Sequence, residues 1–94
     1  MKEVHAVATY GDMLRLLAQR LEAKYDADDA YLAAPDGSAE EVRARWAMAR
    51  AIDGYYVVAD AISQLFGVDE AAARDDARAM LATREAEKSG DGDA

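Results

Sequence analysis

The stretch from Ser38 to Gly67, SAEEVRARWAMARAIDGYYVVADAISQLFG, decides the fold. It contains no proline, opens on Ser38 with Glu41 three residues later, and closes on a glycine, which together read as one long helix. In a capping box the Ser38 hydroxyl accepts from the Glu41 amide while the Glu41 carboxylate reaches back to the Ser38 amide. From Met48 onward the series Met48, Ile52, Tyr55, Ala59, Ile62, Phe66 keeps helical phase, flanked by Ala51, Val58 and Leu65. A second patch, Val42, Trp46, Ala49 and Tyr56, falls roughly 100° further round an ideal helix. Apolar residues on more than one side mark a central helix wanted by several neighbours. Gly54 costs about 1 kcal/mol relative to alanine in a helix interior, yet the series keeps its phase through it, so the pattern predicts a close helix crossing there.

Working outward, Tyr10, Met13, Leu14, Leu17, Leu21 and Tyr25 recur at steps of three and four, with Leu16 widening the stripe. They predict an amphipathic helix from Thr9 or Tyr10 to about Tyr25, with Thr9 and Asp12 at its cap. Asp26, Asp28, Asp29 and Pro35-Asp36-Gly37 then read as a loop with turn chemistry. Within it a short helical turn over 29–33 would let Tyr31 and Leu32 plug the end of a bundle. Beyond Gly67, which suits a left-handed C-cap, Asp69 caps a third helix running to about Lys88, Ala-rich and with Met80 and Leu81 as its only large apolar residues. Residues 89–94 are small and acidic with glycines, and are expected to form a disordered tail. The fold expected is therefore all-α: one domain over 1–88, a bundle of three main helices around a long central one.

Composition bounds the rest. Of the 49 residues behind the 52% hydrophobic figure, 23 are alanine, which leaves 26 large apolar side chains. Alanine buries little area at about 25 cal/mol per Å², so a lone monomer should be marginal and a homo-oligomer, a dimer first, is the expected partner arrangement. The central helix, at about 42 Å, should also outreach neighbours of about 27 Å. An isologous dimer through its Val42, Trp46 and Met48 end would cover that overhang. With no cysteine, disulfides and thiolate chemistry are excluded. No apolar run approaches the ~20 residues of a membrane span, and a cytoplasmic location is the plain expectation.

The net charge of -8 argues against general affinity for nucleic-acid phosphates. Most of it lies in residues 26–41, which sum to -6 with no basic residue. Asp26 and Asp28 start like a calcium loop, but Ala30, Tyr31 and Gly37 stand where the motif needs oxygen ligands, a glycine and a final glutamate. His5 is the only imidazole, and its place before the first helix pairs it with no nucleophile or acid. Asp53 and Asp60 share a helix face and Asp75 and Asp76 are adjacent, yet no Glu-x-x-His accompanies them. No catalytic residue, cofactor or metal ligand is assigned.

Arg43, Trp46 and Arg50, at i, i+3 and i+7, set two guanidiniums around an indole. That arrangement suits either an anion or base by cation–π contact, or an interface anchor whose arginine stems cover it. The span Ala59 to Leu81 faintly resembles a helix-turn-helix through Ile62, Phe66, Gly67, Val68 and Ala73. Its second helix carries Asp69, Glu70, Asp75 and Asp76 against only Arg74 and Arg78, which suits a DNA groove poorly. The leading expectation is a non-enzymatic interaction or assembly module, homodimeric, working through Val42, Arg43, Trp46, Met48, Arg50, Tyr55 and Tyr56. Behind it stand an acidic nucleic-acid mimic that occupies a basic partner, and a helix-turn-helix-like regulator.

Overall fold

The computed structural model describes the backbone of residues 8–93 and the side chains of 8–88. His5 lies outside the described residues. Three helices follow one another, α1 (Tyr10–Ala33), α2 (Ala39–Phe66) and α3 (Glu70–Asp93), and among the described residues there is no strand. No helix of the described residues is long and apolar enough to cross a membrane.

Each helix starts on the residue whose side chain can accept an orphan amide. At α1 the box is reciprocal: the Asp12 amide donates to the Thr9 hydroxyl and the Thr9 amide to the Asp12 carboxylate, both at 3.0 Å. That carboxylate is held below the usual range, first by the Thr9 amide and then by the Thr9 hydroxyl. At α2 the Glu41 amide donates to Ser38 Oγ at 3.1 Å, but the Glu41 carboxylate takes the Gly37 amide instead of the Ser38 amide. The reason is that the Ser38 amide already donates to the Pro35 carbonyl at 3.2 Å, closing the turn in which Gly37 sits at φ 75°. Asp69 caps α3 by accepting from the Ala72 amide at 2.9 Å. Gly67, at φ 69°, ends α2 in the left-handed conformation expected of it.

Helix α1 does not stop at Tyr25. It runs through the three aspartates to Ala33, and the short turn expected over 29–33 is its last stretch. Lys24 lies 3.6 Å from Asp28, an i,i+4 pair, and Ala27, Ala30 and Ala33 supply helix propensity between the acids. Leu32 plugs nothing, being 80% exposed. The backbone of α3 likewise continues to Asp93, past the end expected at Lys88, for no proline interrupts it.

The core is built from Leu14, Leu17, Ala18 and Leu21 of α1, Tyr55, Val58, Ala59 and Ile62 of α2, and Ala73 and Ala77 of α3. Helix α1 packs most extensively on α2, less on α3, and α2 touches α3 least. Ala27 and Ala44 extend burial into the half of the hairpin that α3 leaves uncovered. Because α1 spans 24 residues against 28 for α2, it lies along nearly the whole central helix. The overhang expected from a shorter α1 is thereby removed. α2 passes unbroken through Gly54, and what approaches there is the Arg20 side chain, not a helix backbone: a Cβ at 54 would meet Arg20 Cδ and Nη1 at 3.6 Å.

Candidate functional site

The buried residues of α2, namely Ala44, Tyr55, Val58, Ala59 and Ile62, fix which way the helix faces. At 100° per residue, Val42, Trp46, Ala49, Asp53, Tyr56, Val57 and Asp60 fall on roughly the opposite side. Trp46 is 65% exposed, Val57 69%, Val42 52% and Tyr56 47%. Val42, Trp46, Ala49, Tyr56 and Val57 on the side of α2 turned away from the core explain the double apolar pattern of the sequence. One side makes the core and the other faces water.

Among the residues singled out from the sequence, Val42, Trp46 and Tyr56 stand on this outward face, and Arg43 and Arg50 line one flank of it, both exposed. Met48 is half-buried. Tyr55 is not at the surface. It is 2% exposed, and its hydroxyl donates to the Glu70 carboxylate across the α2–α3 junction. Burial first, and that hydrogen bond second, push the Tyr55 phenol well above its ordinary range. Asp53 and Asp60 belong to the outward face and are exposed. Val57 joins the site although the sequence did not single it out; the available signal is its place eleven residues after Trp46, three turns along the same side.

The arginines around the indole do not embrace it. Cation–π contacts among the described residues are those of Lys24 with Tyr25 and of Arg45 with Tyr31, at 5.9 and 6.0 Å. Arg45 also lies 3.9 Å from Glu41, and Arg43 3.7 Å from Glu40 with both side chains mostly in water. Of the six acids in 26–41, Asp28, Glu40 and Glu41 thus sit within 4 Å of a cation, and the block presents no unbroken acidic surface.

At the junction of all three helices a small cleft of 130 Å³ is lined by Lys24, Tyr25, Tyr55, Tyr56, Arg74 and Arg78. Its charges are engaged by neighbouring side chains, of which only the Arg78 contact joins two helices. Arg74 Nη1 donates to Glu70 at 3.1 Å and Arg78 Nε to the Tyr25 hydroxyl at 3.1 Å, while Lys24 faces Asp28. Two residues along α3 from Arg74, Asp76 accepts from the Tyr10 hydroxyl at 2.6 Å, and that bond raises the Tyr10 phenol to about 12. The arginines of the helix-turn-helix-like segment are therefore tied to neighbouring side chains of the bundle. Arg74 Nε is buried without an acceptor.

The chain matches no protein-family model, no curated protein and no solved structure.

Proposed function

We propose that this chain is a non-enzymatic helical interaction module whose docking surface is the outward face of α2, laid against another helical surface. What carries the reading is the coincidence of Trp46, 65% exposed, and Val57, 69% exposed, on one side of a helix whose other side supplies half of the core of its hairpin. An indole left mostly in water contributes little to the fold of its own chain. Against a partner it supplies the large, rigid anchor that interfaces favour. Ala49 between Val42, Trp46 and Tyr56 keeps the face shallow, so that a second helix can lie along it, as in other helix-in-groove recognition.

The test is a double substitution, Trp46→Ser with Val57→Ser, compared with the parent protein for helicity, melting temperature and self- or partner association. Both residues are exposed, so helicity and melting temperature should stay close to the parent's, and association should weaken at least tenfold. Unchanged association in the substituted protein would remove the outward face as the docking surface.

A further inference from the structure

We infer that the helix laid along this face is the same α2 of a second copy, running antiparallel; the inference rests on the docking-surface reading above and names its partner. The charges of the face divide along its length. Arg43 and Arg50 flank Trp46 in the N-terminal half, and Asp53 and Asp60 accompany Tyr56 and Val57 in the C-terminal half. In each half the two charges are seven residues apart, two helical turns.

Such a pattern is complementary to itself in register under a two-fold axis; a parallel pairing matches it only when staggered by ten residues, which makes each arginine–aspartate meeting once and does not close. With the axis passing between Ala51 and Ile52, Arg50 stands level with Asp53 of the second copy, Arg43 with Asp60, and Trp46 with Val57. Each of these meetings occurs twice, as an isologous contact requires. Side by side in parallel register, arginine would face arginine and aspartate would face aspartate, which charge patterning penalises.

Local partners do not account for these charges. Arg50, Asp53 and Asp60 make no ion pair among the described residues, and Arg43 has only the exposed Glu40. Arg45, on the other flank, is by contrast occupied by Glu41 and Tyr31. From Val42 to Asp60 the face is about 27 Å long and about 10 Å wide. Two such faces bring together on the order of 500 Å² of footprint, below the size of stable interfaces, so assembly is weak, reversible and dependent on concentration.

The experiment separates the two signs. One variant, Arg43→Asp with Arg50→Asp, carries a wholly acidic face; the other, Asp53→Arg with Asp60→Arg, a wholly basic one. All four positions are exposed, and circular dichroism checks that each variant folds. By light scattering up to about 1 mM, well above a micromolar dissociation constant, the parent should move from monomer to dimer. Each variant alone should dimerise at least tenfold more weakly, and an equimolar mixture should return to the dimer mass, less so as salt is raised. A parent monomeric throughout that range, variants that dimerise as readily as the parent, or a mixture that stays monomeric overturns the inference. None of those results touches the docking-surface reading, which falls only if Trp46→Ser with Val57→Ser leaves association with every partner unchanged.

Discussion

At position 54 a methyl group would meet only the Arg20 side chain, and at ordinary van der Waals distance. The glycine sits inside α2 with a helical backbone, since the positive φ angles of the described chain belong to Gly37 and Gly67. It therefore gives up helix propensity without gaining a close backbone approach. Gly54→Ala should raise unfolding free energy by about 1 kcal/mol, read as a higher urea midpoint with an unchanged slope. A loss of stability would mean that the Arg20 stem cannot yield the little room a methyl needs. The same residue-scale accounting separates Tyr55 from Tyr56. The two rings stand edge to face at 5.0 Å, yet one is sealed in the core with its hydroxyl on Glu70 and the other is half in water. Adjacent residues on a helix point about 100° apart, and here that step takes Tyr56 out of the core that Tyr55 enters.

At the scale of elements, the caps and the long central helix were legible in the sequence because their signals are local: a hydroxyl or carboxylate at the N-cap, a glycine where φ turns positive. The length of α1 was not. Three aspartates in four positions read as a break, whereas the i,i+4 reach of Lys24 to Asp28, the burial of Ala27 and the contact of Tyr31 with Arg45 of α2 accompany the helix on to Ala33. The outward face was legible in part. Trp46 and its arginines announced it, whereas Val57 was hidden in the run Tyr55-Tyr56-Val57-Val58, where four consecutive apolar residues cover every side of a helix and periodicity cannot choose between them. Which side is outer depends on where α1 and α3 sit, and that is a long-range fact. The caps themselves differ in strength. Because the Thr9 and Asp12 side chains satisfy each other's amides while Glu41 bonds to Gly37 across the turn, Thr9→Ala should cost about 1 kcal/mol. Glu41→Ala leaves the Ser38 cap in place and should cost only a few tenths, as expected for a partly exposed helical pair and one turn contact. Equal losses in the two variants, measured by denaturant unfolding, would contradict this ranking.

For the whole molecule, the three helices are unequal partners. α1 and α2 form a hairpin packed in one half through leucines, Tyr55, Val58 and Ile62 and in the other through Ala27 and Ala44, and α3 is added to the first half. The fully buried contribution of α3 is Ala73 and Ala77, with Met80 and Leu81 only partly covered, and every described side chain from Ala82 to Lys88 is exposed. Two alanines remove little apolar area from water at about 25 cal/mol per Å², and the side-chain hydrogen bonds of Tyr10 to Asp76, Arg78 to Tyr25 and Tyr55 to Glu70 add to it. Burial of that extent holds a helix in place without making it inseparable from the hairpin. Local opening follows the sparsest packing, so amide hydrogen exchange should be graded: slowest in the facing stretches of α1 and α2, faster over 70–81, and fastest over 82–88. The hairpin should keep its protection under mild denaturant after α3 has lost its own. Protection that disappears from all three helices together would show instead that the hairpin cannot stand without α3, and that the Ala73 and Ala77 contacts are worth more than their area.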